Sequence, residues 1–204
     1  MIETKKELDN YIIADYVMNR VYTHPSFIVW IKQILFPDYL MQYLVSMRKF
    51  SFYSKKCGLR NKILSLYYQR KFLRLGLKLG YSIDPYVLGY GCVIPHHGTI
   101  VVGGGGNIVG NFAVLHTSTC ITHGNKNIGD GLYLSTGSQI VGDVKLGDNT
   151  SIASHSLVNK AFAGNTLLAG SPASVIKEDY KSWYERDGEK YENRVSYVKT
   201  LFHF

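Results

Sequence analysis

A mainly β solenoid, with helices before it and a short helical tail after it, is the fold this sequence predicts, on three observations. First, an aliphatic or cysteine residue recurs every sixth position: Leu88, Ile94 and Ile100; then Ile108, Val114 and Cys120; then Ile128, Leu134, Ile140, Leu146, Ile152 and Val158. Second, a small or β-branched residue follows four places on, at Ser118, Ser138, Val144, Thr150 and Ser156. Third, glycine, asparagine and aspartate fill the intervals, as in Gly129-Asp130-Gly131 and Gly147-Asp148-Asn149, and supply turn conformations that branched residues resist.

A period of six fits neither a helix at 3.6 nor a strand at 2. It fits a coil whose flat faces each take six residues, three faces making one triangular turn. The aliphatic residue points to the axis and the small one fits a crowded corner. Stacked turns pair their strands in parallel, so interior backbone groups find partners. The two breaks in phase, each of two residues, fall at residues 103–106 and 123–127 and read as insertions at corners. An ordinary β-sandwich would instead alternate with period 2 between turns roughly 8–12 residues apart.

On either side of residues 81–177 the pattern changes. Through residues 1–80 apolar positions recur at helical spacing, as in Ile63, Leu66, Tyr67, Leu73 and Leu77, with Pro25 and Pro37 as interruptions, which predicts about three helices. Residues 178–204 begin polar and carry Trp183, Tyr184, Tyr191, Tyr197, Leu201 and Phe202 at spacings a helix can use. This tail is expected to pack back on a subunit.

Composition narrows the functional classes. Three cysteines, Cys57, Cys92 and Cys120, form no CxxC pair and leave an odd thiol, which suggests neither a disulfide framework nor a zinc knuckle. The N-terminal stretch has no apolar signal core, and the greasiest segment, residues 27–45, is broken by Lys32, Pro37 and Asp38, so a cytoplasmic protein without membrane spans is expected. The net charge of +8 is concentrated: residues 46–80 hold ten basic side chains and no acid. A solvated helix face is the plainest reading of that block. Docking to an anionic membrane surface is the second, because Phe50, Phe52, Tyr53, Leu64, Leu66 and Tyr67 give the cations apolar company. Nucleic acid is not expected, since no recognised motif accompanies the block.

The repeat array together with LLAGSPASVIK at 167–177 resembles the hexapeptide-repeat acyltransferases, and YSIDP followed by IPHHGTIVVG at 94–103 is similar to serine acetyltransferases and their sugar-acetylating relatives. The resemblance covers about residues 80–177. It implies a left-handed parallel β-helix, a homotrimer with parallel axes, and acetyl-CoA lying in the groove between adjacent chains as co-substrate. It also implies a catalytic base at His96, a role imidazole suits because an acceptor hydroxyl must lose its proton as it attacks the thioester. For the coenzyme it implies Thr136 and Ser154 along the groove, with Lys160 and Lys177 near the nucleotide phosphates.

The departures from that family bear on the acceptor. Where serine acetyltransferases place an aspartate as partner of the base this chain has Ser82, with Asp84 two residues on; Pro95 replaces the aspartate just before the base; and the basic and histidine residues of their loop fall on Gly124 and Asn125, beside His123. Fewer charges remain for the ammonium and carboxylate of serine. The sequence therefore favours O-acetylation of a saccharide hydroxyl, in surface polysaccharide biosynthesis and near the inner face of the membrane. Serine O-acetylation in cysteine biosynthesis is the first rival and a non-catalytic scaffold the second.

Among the other histidines, His97 is the rival base, on the opposite side of the strand. His116 and His123 are candidates to line the same cleft as acceptor ligands, His155 reads as surface, and His24 and His203 receive no role. No carboxylate or thiol stands at a ligand spacing from these histidines, so no metal is expected. A serine hydrolase is disfavoured by the lack of a GxSxG elbow. The run VVGGGGN at 101–107 lacks a GK[ST] ending, which makes it a corner and not a nucleotide loop.

Overall fold

The computed structural model describes residues 2–20 and 35–202. Pro25, His24, His203 and residues 27–34 of the greasy segment lie outside the described residues. Among these, the first 80 positions form α1 (Lys5–Arg20), α2 (Tyr39–Tyr53) and α3 (Leu59–Leu79). Each boundary has a local cause. Thr4 and Glu7 form a reciprocal capping box, with Glu7 N donating to Thr4 Oγ1 (3.1 Å) and Thr4 N to Glu7 Oε2 (3.0 Å). Asp38 caps α2 by accepting from Met41 N (3.0 Å). Gly80, at φ +83°, ends α3 in the left-handed conformation that glycine adopts without strain.

The helical spacing read through Ile63, Leu66, Tyr67, Leu73 and Leu77 is real, but it marks the outside of α3. All five are more than half exposed, and the face turned to α2 is instead built on Phe72 and Gly76. Phe50 stacks on Phe72 with ring centroids 5.4 Å apart.

The solenoid follows at once. Its strands are β1 (Tyr81–Ile83), β2 (Ile100–Val102), β3 (Ile108–Val109), β4 (Val114–Leu115), β5 (Thr119–Ile121), β6 (Asn127–Ile128), β7 (Tyr133–Leu134), β8 (Gln139–Ile140), β9 (Lys145–Leu146), β10 (Ser151–Ile152), β11 (Leu157–Val158), β12 (Leu167–Gly170) and β13 (Ala173–Lys177). They stack as three faces: β1-β2-β5-β8-β11 on the first, β3-β6-β9 on the second, and β4-β7-β10-β12-β13 on the third. Pairing is parallel, as expected, until β13 turns back antiparallel on β12 through a cis Ser171-Pro172 bond.

Register identifies the axial columns. Ile83, Val102, Ile121, Ile140 and Val158 stack on the first face; Leu88, Val109, Ile128, Leu146 and Phe162 on the second; Leu115, Leu134, Ile152 and Leu168 on the third. From Ile128 to Val158 the period of six holds without a slip, and every member is at most 2% exposed. Truncating any one of them to alanine is expected to cost about 2–5 kcal/mol.

The middle block corrects the sequence reading. Ile108 is 59% exposed, Val114 packs outward under the tail and Cys120 is half-buried, while Val109, Leu115 and Ile121 take the axis. The first two-residue insertion therefore lies at residues 95–99, between Ile94 and Val102, and the two glycine-containing corners add one residue each. Ile100, also buried, sits two places before the column, where later coils carry a small residue. Similarly Ser118 is exposed and Thr119 fills the corner, donating to His116 O (2.7 Å) as Ser138 does to Ser135 O (2.5 Å) and Thr150 to Gly147 O (2.7 Å).

One core runs from the helices into the coils, since Met41, Tyr43, Leu44 and Met47 of α2 share it with Ile83, Ile94 and Ile100. A second cluster covers the outside of the third face. There α1 (Ala14, Val17, Met18) and the tail, with α4 (Trp183–Arg186) and α5 (Glu189–Thr200), close over Val93, Phe112 and Val114. Among the described residues no helix is long and apolar enough to cross a membrane.

Candidate active site

The chain turns from third face to first at residues 95–99, 116–118, 135–138 and 153–156, and these corners stack into one edge. Ser118 N donates to Thr99 O (2.6 Å), Gly137 N to Thr117 O (3.2 Å) and His155 N to Thr136 O (3.0 Å). The edge thus carries His96, His97, His116, Thr136, Ser154 and His155 in successive coils.

The helices hold the first of these corners in place. Gly98 N donates to Leu79 O at the end of α3, and Ile100 N to Gly80 O (both 3.0 Å). A side chain on Gly80 would stand 2.9 Å from the Gly98 carbonyl carbon, so the two backbones meet only because residue 80 is glycine. Ile94 N donates to Asn19 Oδ1 (3.1 Å) on α1, and the Tyr81 hydroxyl to His96 O (3.2 Å). Burial pushes the Tyr81 phenol up to about 12, which keeps it a donor at working pH. His96 and His97 are both exposed and border a cleft of about 300 Å³ whose far wall is Arg20, Asp38 and Tyr39.

The His96 ring lies 6.2 Å from that of His116, tilted by 45°. His116 is half-buried and its Nε2 meets the Tyr133 hydroxyl at 2.9 Å. Burial holds the His116 imidazolium less stable than usual, and a charge on His96 adds to this, while Asp187 opposes it. His116 therefore favours the neutral ring. Tyr133 and the nearby Arg186, whose guanidinium stands 5.4 Å from the phenol centroid and donates to Ser151 Oγ (3.0 Å), carried no signal in the sequence. Tyr133 occupies an ordinary outward strand position, and only the folded column of Val93, Val114 and Tyr133 places it beside His116.

A second cluster lies across the first face. At the corner after β1, the Asp84 carboxylate accepts from Tyr86 N (2.9 Å) and closes against Gly104, while the His123 ring closes against Gly105. The glycine run is a corner, as expected, and its lack of side chains admits both groups. Beneath it Lys126, 1% exposed, donates to Thr122 O (2.9 Å), and Asn107 donates to Gly103 O (2.7 Å) and Thr122 O (2.8 Å). Burial lowers the Lys126 ammonium and Asp143 opposes the shift. These clamps were not foreseen, because a lysine in a corner reads as solvated.

The predicted residues therefore separate. His96, His97, His116, Thr136 and Ser154 share one edge. Asp84, His123 and Lys160 lie on the other side of the first face, with exposed Ser82 between them on β1, and Lys177 ends β13 on the third face. Strands of this face run up to three residues, roughly 10 Å. Contrary to the expectation of one cleft, a single chain does not bring His123 or Asp84 to His96. Lys160 and Lys177 are exposed, each over an aromatic ring, Phe162 at 5.4 Å and Tyr180 at 5.5 Å. Among the described residues no three of His, Cys, Asp and Glu gather as a metal site would require.

Coils of six-residue faces, parallel columns and a histidine on one edge define a hexapeptide-repeat β-solenoid, with the fold of the left-handed β-helix acyltransferases. Curated proteins similar to this chain include serine acetyltransferases. The one from Buchnera aphidicola is 26% identical over 151 residues, covering 70% of this chain and 53% of its own length. Serine acetyltransferase 4 of Arabidopsis thaliana is 30% identical over 152 residues, covering 65% and 43%. The chain thus spans about half the length of these relatives. In structure it resembles the serine acetyltransferase of Neisseria gonorrhoeae (TM-score 0.63, 19% identity, 91% of this chain and 72% of that one) and a serine acetyltransferase crystallised with CoA (0.62, 19%, 84% and 71%). No family model matches the chain.

Proposed function

We propose that the protein is an acetyl-CoA-dependent O-acetyltransferase with His96 as its base. The supporting observation is the single edge that stacks His96, His116, Thr136 and Ser154, on a fold shared with a serine acetyltransferase known in complex with CoA. In the reaction the acceptor hydroxyl gives its proton to the imidazole as its oxygen attacks the thioester carbonyl carbon. The tetrahedral intermediate then collapses, the C–S bond breaks, and the departing thiolate takes the proton back. In this reading a backbone N–H of a glycine-containing corner steadies the oxyanion.

The reading includes a homotrimer. Its three first faces turn towards one another, so that the His96 edge of one chain meets the Asp84, His123 and Lys160 edge of the next. Such packing supplies the carboxylate, second imidazole and phosphate-binding cation that one chain keeps apart. Lys177, on the third face, stays outside that groove.

L-Serine is the acceptor that the relatives support. A saccharide hydroxyl is the second reading, favoured by Pro95 in place of an acid and by an Asp84 engaged in its own turn with Tyr86. Thiol release from acetyl-CoA with L-serine and with a panel of sugars, for wild type, His96→Ala and His97→Ala, tests the whole reading. Turnover lost in His96→Ala alone supports it, and the acceptor that turns over decides between the two. No thiol release with any acceptor, and no CoA binding, would replace it with a scaffold.

A further inference from the structure

Among the described residues, the outer face of α3 is unpartnered, and it is strongly two-sided. Leu59 (76% exposed), Ile63 (58%), Leu66 (58%), Leu73 (51%) and Leu77 (87%) follow one another at steps of three, four or seven residues, which puts them on one stripe about 27 Å long. A monomeric surface rarely carries so continuous an apolar strip without a use. Cations flank it: at about 100° per residue Arg60, Lys71, Arg74 and Lys78 lie along one side and Lys62 along the other, with Arg70 within the stripe. Between residues 46 and 80 there is no acid to neutralise them. The opposite side of the helix is already engaged, through Phe72 and Gly76, with α2 and the solenoid.

We infer that this face docks on an anionic lipid bilayer. A second copy of the chain is a poor occupant, because pairing α3 with itself sets six cations against six with no counter-charge. A bilayer suits both halves of the pattern. The leucines enter the boundary between headgroups and acyl chains, and the long lysine and arginine stems let their charges return to the lipid phosphates. Arg70 does the same from mid-stripe. The stripe is a surface helix and not a span, consistent with its six charges. Docking also has a consequence for the site: Gly80 ends α3 and meets Gly98, so the helix that lies on lipid carries the His96 corner at its C-terminal end.

The test needs no enzymatic assay. The full chain is sedimented with vesicles of phosphatidylcholine alone and of phosphatidylcholine with phosphatidylglycerol, at low salt and at about 1 M salt, where the screening length is about 3 Å. Binding is expected on the anionic vesicles, at least tenfold weaker in high salt and on neutral vesicles. It should fall at least tenfold in Leu66→Gln/Leu73→Gln and in Arg70→Glu/Arg74→Glu, with thermal midpoints near wild type because these side chains are exposed. Equal pelleting with neutral vesicles, no pelleting at all, or a leucine variant that loses oligomer mass instead of lipid binding would overturn the proposal.

Discussion

The rings of His96 and His116 lie 6.2 Å apart on successive coils, and His116 is the one buried against a neighbour, Tyr133. Two imidazolium ions at that distance repel, so the buried ring is the one that stays neutral. A neutral His116 leaves no second imidazolium charge facing His96, the side chain proposed as the base.

The lowered His116 pKa has a definite sign in stability. The unfolded chain binds the proton at its ordinary value of 6.5 and the folded chain only at lower pH, so the contribution is complete above 6.5 and is lost as pH falls through the folded pKa. Urea midpoints of the wild type should drop as pH falls below 6.5, and His116→Gln should flatten that slope. An unchanged slope would mean that another group dominates it.

Gly80 is expected to matter for activity more than for folding. At φ +83° an alanine there is strained by about 1–2 kcal/mol, and its Cβ pushes directly on the Gly98 backbone and so on His96. A displacement near 1 Å costs on the order of a hundredfold in rate. Gly80→Ala should therefore lose turnover while remaining folded, with thermal melting as the control. A folded variant with wild-type turnover would show that the corner is fixed by other contacts.

How much of this was legible depended on what each residue type can signal. The period of six from Ile128 to Val158 was read correctly because every coil there has the same length. Earlier, Ile108, Val114 and Cys120 repeat with the right period one step out of register, because Ile108-Val109, Val114-Leu115 and Cys120-Ile121 offer two apolar neighbours and only burial chooses between them. The misplaced insertion hid that the extra residues lie at 95–99, where they bulge out with His96. The separation of His96 from Asp84 and His123 was equally invisible, since sequence distance does not say which edge a corner joins.

Asp15 and Arg48 form a buried pair, Nε to Oδ2 at 2.9 Å, with side chains 1% and 2% exposed. Arg48 also donates to Leu88 O (2.7 Å) and Gly89 O (2.6 Å), where the chain enters the first coil. Arg48→Met strands a buried carboxylate and should cost about 3–5 kcal/mol. Adding Asp15→Leu should recover most of that loss but not all, because the two carbonyls remain unmet. Chemical denaturation of the two variants measures this; a single variant as stable as wild type would place the pair outside the cooperative core.

The tail is expected to act on the site through one tryptophan. Trp183 is 1% exposed and its Nε1 donates to Phe112 O (2.8 Å) at a corner of the third face. Trp183→Ala should cost about 3–5 kcal/mol, whereas Trp183→Phe keeps most of the volume and leaves one buried carbonyl unmet, at about 1–3 kcal/mol. The alanine variant should also expose residues 178–202 to protease. Release of the tail takes Arg186 from the Tyr133 ring and Ser151, and Asp187 from the neighbourhood of His116. Burial is the larger influence on His116 and Asp187 the smaller, opposing one. With Tyr133 still in place and the Asp187 charge withdrawn, the His116 titration should move further below its ordinary value, and NMR titration of the histidine ring protons in wild type and Trp183→Ala follows it directly. An unmoved His116 in a protease-sensitive variant would separate the tail from the site.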